Sequence, residues 1–249
     1  MSRLIRTVFV LAAAAVVCLP ASRLAAFQEA TKTIYFTAVD AKSGKPITDL
    51  KAEELAAAED GQFRPATSLK KADTPVSVLM LADTTKEAGG TGLDRRSTSG
   101  SAAGELIRDI RAAFSEFTKQ MLDRNAQSEL ALMEFGQASI MVTNFTSSGE
   151  EIEKGISKLI PKPSAASVLL EAILESGKEL DKRKNARRAI VSINVEPGDE
   201  QSREPPNNIL KQLAKAHAQY FSVALQKGDL RNNARGMVVD GLTEAMGGR

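Results

Sequence analysis

From Pro75 onward, apolar runs of strand length alternate with longer segments whose apolar residues recur at helical spacing. "VSVLMLA" (76–82) reads as a strand buried on both faces. "GELIRDIRAAFSEFTKQML" (104–122) puts Leu106, Ile107, Ile110, Ala113, Phe114, Phe117 and Met121 on one helical face. "ELALMEF" and "SIMVTNF" flank Gly136 and Gln137, a spacing that suits a tight hairpin. In "SSGEEIEKGISKLI", Ser148 and Glu151 stand three apart, the capping box that opens a helix. A helix at 167–181, a strand at 189–195, a helix near 207–216, the strand "QYFSVAL" (219–225) and a helix near 236–246 complete the series. Strand–helix alternation of this kind predicts an α/β three-layer sandwich around a mostly parallel sheet, and the hairpin adds one antiparallel edge strand.

What precedes Pro75 is of two kinds. Residues 27–74 make a short β-rich leader: "KTIYFTAVDAKSGKPITDL" holds a β-rich run and the turn signal "KSGKP", and a second turn, "EDGQ", follows "LKAEELAAA". So short a segment buries too little to stand alone, so it is expected to lean on the α/β domain of residues 75–249. In residues 1–26, Arg3 and Arg6 precede the apolar run "TVFVLAAAAVVCLP", and the small residues of "ASRLAA" follow. That order predicts a secretory signal peptide cleaved after Ala26. The run is below the roughly 18 to 20 apolar residues a spanning helix needs, so the expectation is an extracytoplasmic protein, periplasmic or secreted, with no membrane span after cleavage.

Removing that segment takes away Arg3, Arg6 and Arg23 and no acids, so 33 basic and 31 acidic residues become 30 and 31. The apparent basicity belongs to the signal. With no basic stripe and no Trp, nucleic acid is excluded as a partner. The sole cysteine, Cys18, leaves with the signal, which removes disulfides and thiolate metal sites from the mature chain.

The stretch "LMLADTTKEAGG" (79–90) ends an apolar strand on Asp83. In a parallel α/β sheet, ligands bind beyond the carboxyl ends of the strands, which is where Asp83 falls. The alternative is an acid that only begins a turn. At a solvated strand end Asp83 has no evident buried partner, so Asp83→Ala is expected to leave folding intact. The polar, Gly/Ser/Thr-rich segment 84–105 reads as a loop of about 20 residues, a length that compact domains keep for function or disorder.

"PVSVLMLADTT", "ELALMEFGQASIMVTNFTSSGEEIEKGISKL", "SVLLEAILESGKEL", "ARRAIVSINVEPGDE" and "LTEAMGGR" occur in the order seen in von Willebrand factor type A domains, which the chain resembles over about 34–249. The front unit, "FTAVDAKSGKPITDLKAEELAAAEDGQ", resembles the leader of such domains in secreted bacterial proteins, especially those of acidobacterial type. The resemblance implies a Rossmann-like sandwich and a metal-ion-dependent adhesion site. There a magnesium is held by an Asp-x-Ser-x-Ser loop, a threonine in a second loop and an aspartate after the fourth strand. A hard cation short of oxygen ligands then captures a partner's carboxylate. Residue by residue, Asp83 matches the first acid, Thr85 the first serine and Ser167 the threonine. Glu87 replaces the second serine, and Val195 stands where the second acid belongs, between Asn194 and Glu196. Lys86 adds a competing ammonium. Two readings stay open: Glu87 or Glu196 restores a carboxylate and Mg²⁺ binds in altered geometry, or the site is degenerate, no cofactor is needed, and binding proceeds without metal.

The expectation is therefore an exported, non-enzymatic module that binds a protein partner through its strand-end loops. The rivals are an Asp83-centred phosphoryl-transfer enzyme, since aspartyl-phosphate chemistry also uses an acid at a strand end, and a cell-envelope scaffold without a ligand. His217, the only histidine, sits at a helix-to-strand junction and reads as solvated; no G-x-S-x-G elbow exists to make a triad of it. The family continues with a sixth strand and a closing helix, so "QYFSVAL" (219–225) is expected to be an open edge and to support self-association.

Overall fold

The computed structural model describes residues 32–59, 61–85, 99–162, 167–196, 199–226 and 234–248. The chain divides into two units, Met1–Tyr35 and Phe36–Arg249, and all the named elements belong to the second. The signal-peptide expectation falls outside the described residues.

In the leader, the β-rich reading of residues 33–39 is corrected. Only the isolated bridge Val39–Pro46 forms there, around the expected turn, where Asp40 accepts from Lys42 and Ser43 and Gly44 takes φ 66°. The leader's strands are instead β1 (Ala56–Glu59) and β2 (Gln62–Pro65), an antiparallel pair turned at Gly61 with φ 76°. A left-handed residue at that turn favours glycine, which is why "EDGQ" marks it.

The main sheet has five strands: β3 (Val76–Asp83), β4 (Glu129–Phe135), β5 (Ser139–Thr146), β6 (Arg187–Glu196) and β7 (Ala218–Gln226). Their order is β5-β4-β3-β6-β7, with β4 and β5 antiparallel and every other pair parallel. The helices are α1 (Ser99–Arg124), α2 (Gly149–Ile156), α3 (Leu169–Asp181), α4 (Pro206–Ala216) and α5 (Ala234–Ala245). Every residue of the central strand β3 is buried, so its alternating side chains feed two cores. Val76, Val78, Met80 and Ala82 join Ile107, Ile110 and Phe114 of α1 and Ile152 and Ile156 of α2. Leu79 and Leu81 join Leu169, Ile173, Ile209, Leu213, Val239 and Leu242 of α3, α4 and α5. The structure is therefore the expected α/β three-layer sandwich with a mostly parallel sheet and one antiparallel edge strand.

Two readings of α1 are corrected. It begins at Ser99, so the linker-like composition of 99–105 hides a helical turn and the expected loop is shorter. Ala113 is exposed, and Thr118, one turn beyond Phe114, takes its place in the buried stripe. Ser148 does cap α2, its Oγ accepting from the Glu151 amide at 3.3 Å. Among the described residues no helix is long and apolar enough to cross a membrane.

Candidate functional site

Asp83 ends the central strand, on the face that carries Leu79 and Leu81. Its neighbours leave it no water: it is 1% exposed. Oδ1 accepts from the Thr85 amide at 3.0 Å and from Thr85 Oγ1 at 2.5 Å, which curls the chain back over the carboxylate. Oδ2 accepts from the Val195 amide at 3.0 Å, so the adjacent strand end β6 is also fastened to it. The expectation of a solvated acid without a buried partner is overturned. A carboxylate out of water needs paired donors, and here the protein supplies them.

The charge partner is Arg235, near the start of α5. Its Nη2 lies 3.1 Å from Asp83 Oδ2, and its Nη1 donates to Ser167 Oγ at 2.7 Å. Both ionic side chains are sealed, at 1% and 0% exposure for Arg235 and Asp83. The guanidinium carbon also stands 5.7 Å from the ring centre of Phe135, the last residue of β4. Ser167 is set by its backbone: its amide donates to the Asp199 carbonyl at 2.9 Å and its carbonyl accepts from Gln201 at 2.9 Å. Five chain segments thus converge on one ion pair.

Of the residues singled out from sequence, Asp83, Thr85 and Ser167 are brought together. Glu87 lies outside the described residues, and of Glu196 only the backbone is described, as the last residue of β6. The Val195 side chain packs into the opposite core, beside α1 and α2, and its contribution to Asp83 is the amide. Asn194, one residue earlier, is buried and donates to Ser222 Oγ at 2.8 Å. His217 is exposed and closes α4 in the left-handed conformation, φ 49°. Arg235 was not anticipated. The available signal was a cation in the first turn of an apolar helix, where the helix dipole disfavours it unless an acid lies opposite.

Beneath this pair lies a polar layer. Tyr220 Oη is 2.8 Å from Ser192 Oγ. Burial pushes the Tyr220 phenol above its ordinary pKa, while hydrogen bonds and the charge of Arg235 pull the other way. Beside the site, a cavity of about 320 Å³ is lined by Thr84, Glu134, Gly136, Gln137, Ala138, Ile140 and Lys162. Lys162 forms an ion pair there with the buried Glu134, and its amide donates to the Thr84 carbonyl at 2.7 Å.

The donor set does not fit an octahedral magnesium shell. A cation placed between Asp83 and Ser167 would stand where the guanidinium nitrogens stand, and both carboxylate oxygens already accept from protein groups. Among the described residues no cluster of three or more His, Cys, Asp or Glu side chains offers a metal site.

No family model and no curated protein matches the sequence. Among solved structures, the chain is similar to the conserved hypothetical protein BatB from Bacteroides thetaiotaomicron, at 12% identity and TM-score 0.48, over 70% of this chain and 87% of that one. It is similar to the SpRpn10 VWA domain at 12% identity and TM-score 0.46, over 70% and 82%. It is similar to the vWF domain of the type V pili tip protein Mfa5 from Porphyromonas gingivalis at 16% identity and TM-score 0.41, over 50% of this chain and 38% of that one. In a structure of three N-terminal domains of Mfa5 the match spans 19% of that chain. At such identities and TM-scores the likeness carries no argument about this chain.

Proposed function

We propose that this protein is an exported, non-enzymatic binding module of von Willebrand A type that takes a protein partner on the loops at the carboxyl ends of its sheet strands, without a bound metal. The observation that supports this best is the sealed Asp83. A carboxylate that is 1% exposed and ion-paired to Arg235 is neither a phosphoryl acceptor in reach of substrate nor a free metal ligand. What the strand ends offer a partner is surface: the three-residue hairpin 136–138, the segment 159–162, and the cavity between them with Ile140 and Lys162 on its wall. Ile140 is 49% exposed, a large apolar side chain that lines the same cavity as the Lys162 cation. The capture of a partner by shape, apolar contact and hydrogen bonds suits that composition.

The test is capture from a cell-envelope extract on the immobilised protein. Equal capture in EDTA and in Mg²⁺, lost in Ile140→Asp, is the expected result. Capture that requires Mg²⁺, or Mg²⁺-dependent phosphoester hydrolysis lost in Asp83→Asn, would replace this reading.

A further inference from the structure

A buried ion pair whose cation comes from a helix 152 positions away in the chain is a site with an occupant. We infer that Asp83, Ser167 and Phe135 form a guanidinium-binding site, filled in cis by Arg235, in place of a divalent cation. The inference goes beyond the proposed function and holds whatever the loops bind.

Three properties of the site select a guanidinium. The first is charge. Asp83 offers one negative charge, Arg235 returns one positive charge, and no cluster of further acids among the described residues would balance a doubly charged ion out of water. The second is shape. Two prongs reach two acceptors on different segments, Nη1 to the Ser167 hydroxyl and Nη2 to the Asp83 carboxylate, a planar fork that an ammonium cannot copy. The third is the Phe135 ring, 5.7 Å from the guanidinium carbon. A weakly hydrated, delocalised cation gains from an aromatic face, whereas a strongly hydrated metal ion prefers oxygen. The consequence is structural as well: the first turn of α5 is fastened to the ends of β3 and β4 and to the segment before α3.

Thermal melts test this by emptying the site and refilling it. Arg235→Ala leaves Asp83 buried without its counter-charge and is expected to melt about 10 °C lower. Millimolar ethylguanidinium should raise the Tm of that variant by several degrees and leave wild type unchanged, since only the variant has a vacant site. Ethylammonium and MgCl₂ at the same concentration should do much less, and Arg235→Ala with Asp83→Asn should lose the rescue. Rescue by Mg²⁺ equal to that by ethylguanidinium would make this a metal site and overturn the inference. No preference for ethylguanidinium over ethylammonium would overturn it too. Should Arg235→Ala not fold, Arg235→Lys decides. It keeps the charge and loses the fork, so its Tm should fall, and adding Ser167→Ala should lower it little further. A lysine variant that melts with wild type would sink the proposal.

Discussion

At the residue scale, Asp83 accepts from Thr85 twice, from Val195 and from Arg235, so its carboxylate is committed before any ligand arrives. Asp83→Ala should therefore cost about 3–5 kcal/mol in denaturant unfolding, because it strands a buried guanidinium. A loss under about 1 kcal/mol would mean that Arg235 finds water or another acid. Tyr220 makes a second, pH-dependent prediction. Burial raises its folded pKa, so its contribution is fully present below the ordinary phenol value and is lost as pH rises through the raised folded one. Stability should decline above about pH 10, and Tyr220→Phe should flatten that alkaline limb. An unchanged slope would contradict it. Asp83 was legible because an acid that ends an apolar run marks a strand end, whereas Thr85 and Ser167 were reached only through the resemblance to von Willebrand A domains. Arg235 was not anticipated, because its partner Asp83 lies 152 positions away in the chain, and a cation in the first turn of an apolar helix does not by itself say which acid it meets.

At the element scale, the helices and strands followed from hydrophobic period, since each buries one face or two. The leader did not, because residues 33–39 have β-forming side chains but only one bridge partner, Val39 with Pro46. Close packing adds a constraint that periodicity cannot express. Gly155 of α2 faces β5, where an added Cβ would meet Thr143 Oγ1 at 2.0 Å and Thr143 Cβ at 3.2 Å. Gly155→Ala should destabilise the protein although alanine favours a helix by about 1 kcal/mol. Thr143→Ala should restore it, and a double-mutant cycle should show coupling of at least about 1 kcal/mol. Additive effects would deny the clash. At the end of α4, His217 holds the left-handed cap at φ 49°. His217→Gly should stabilise by a few tenths to about 1 kcal/mol in the same assay, because only glycine adopts that conformation without strain.

At the scale of the whole molecule, the sheet has β5 and β7 at its two ends among the described residues. Gly247 accepts from the Gln219 side chain at 3.4 Å, and Gly248 lies against the backbone of Tyr220 and Phe221, so the start of β7 is approached by the C-terminal residues. Val223, further along, is 48% exposed. Sedimentation velocity should show self-association that grows with concentration and weakens in Val223→Lys, since a charge on an edge strand opposes pairing. A wild type that stays monomeric throughout would close that route. The internal cation ties β3, β4, the segment before α3 and α5 together at the carboxyl end of the sheet. Scanning calorimetry of the wild-type protein in EDTA and in millimolar MgCl₂ tests that claim most directly. Identical melting curves are predicted, because Arg235 already fills the position. A magnesium-dependent rise in Tm that vanishes in Asp83→Asn would contradict it.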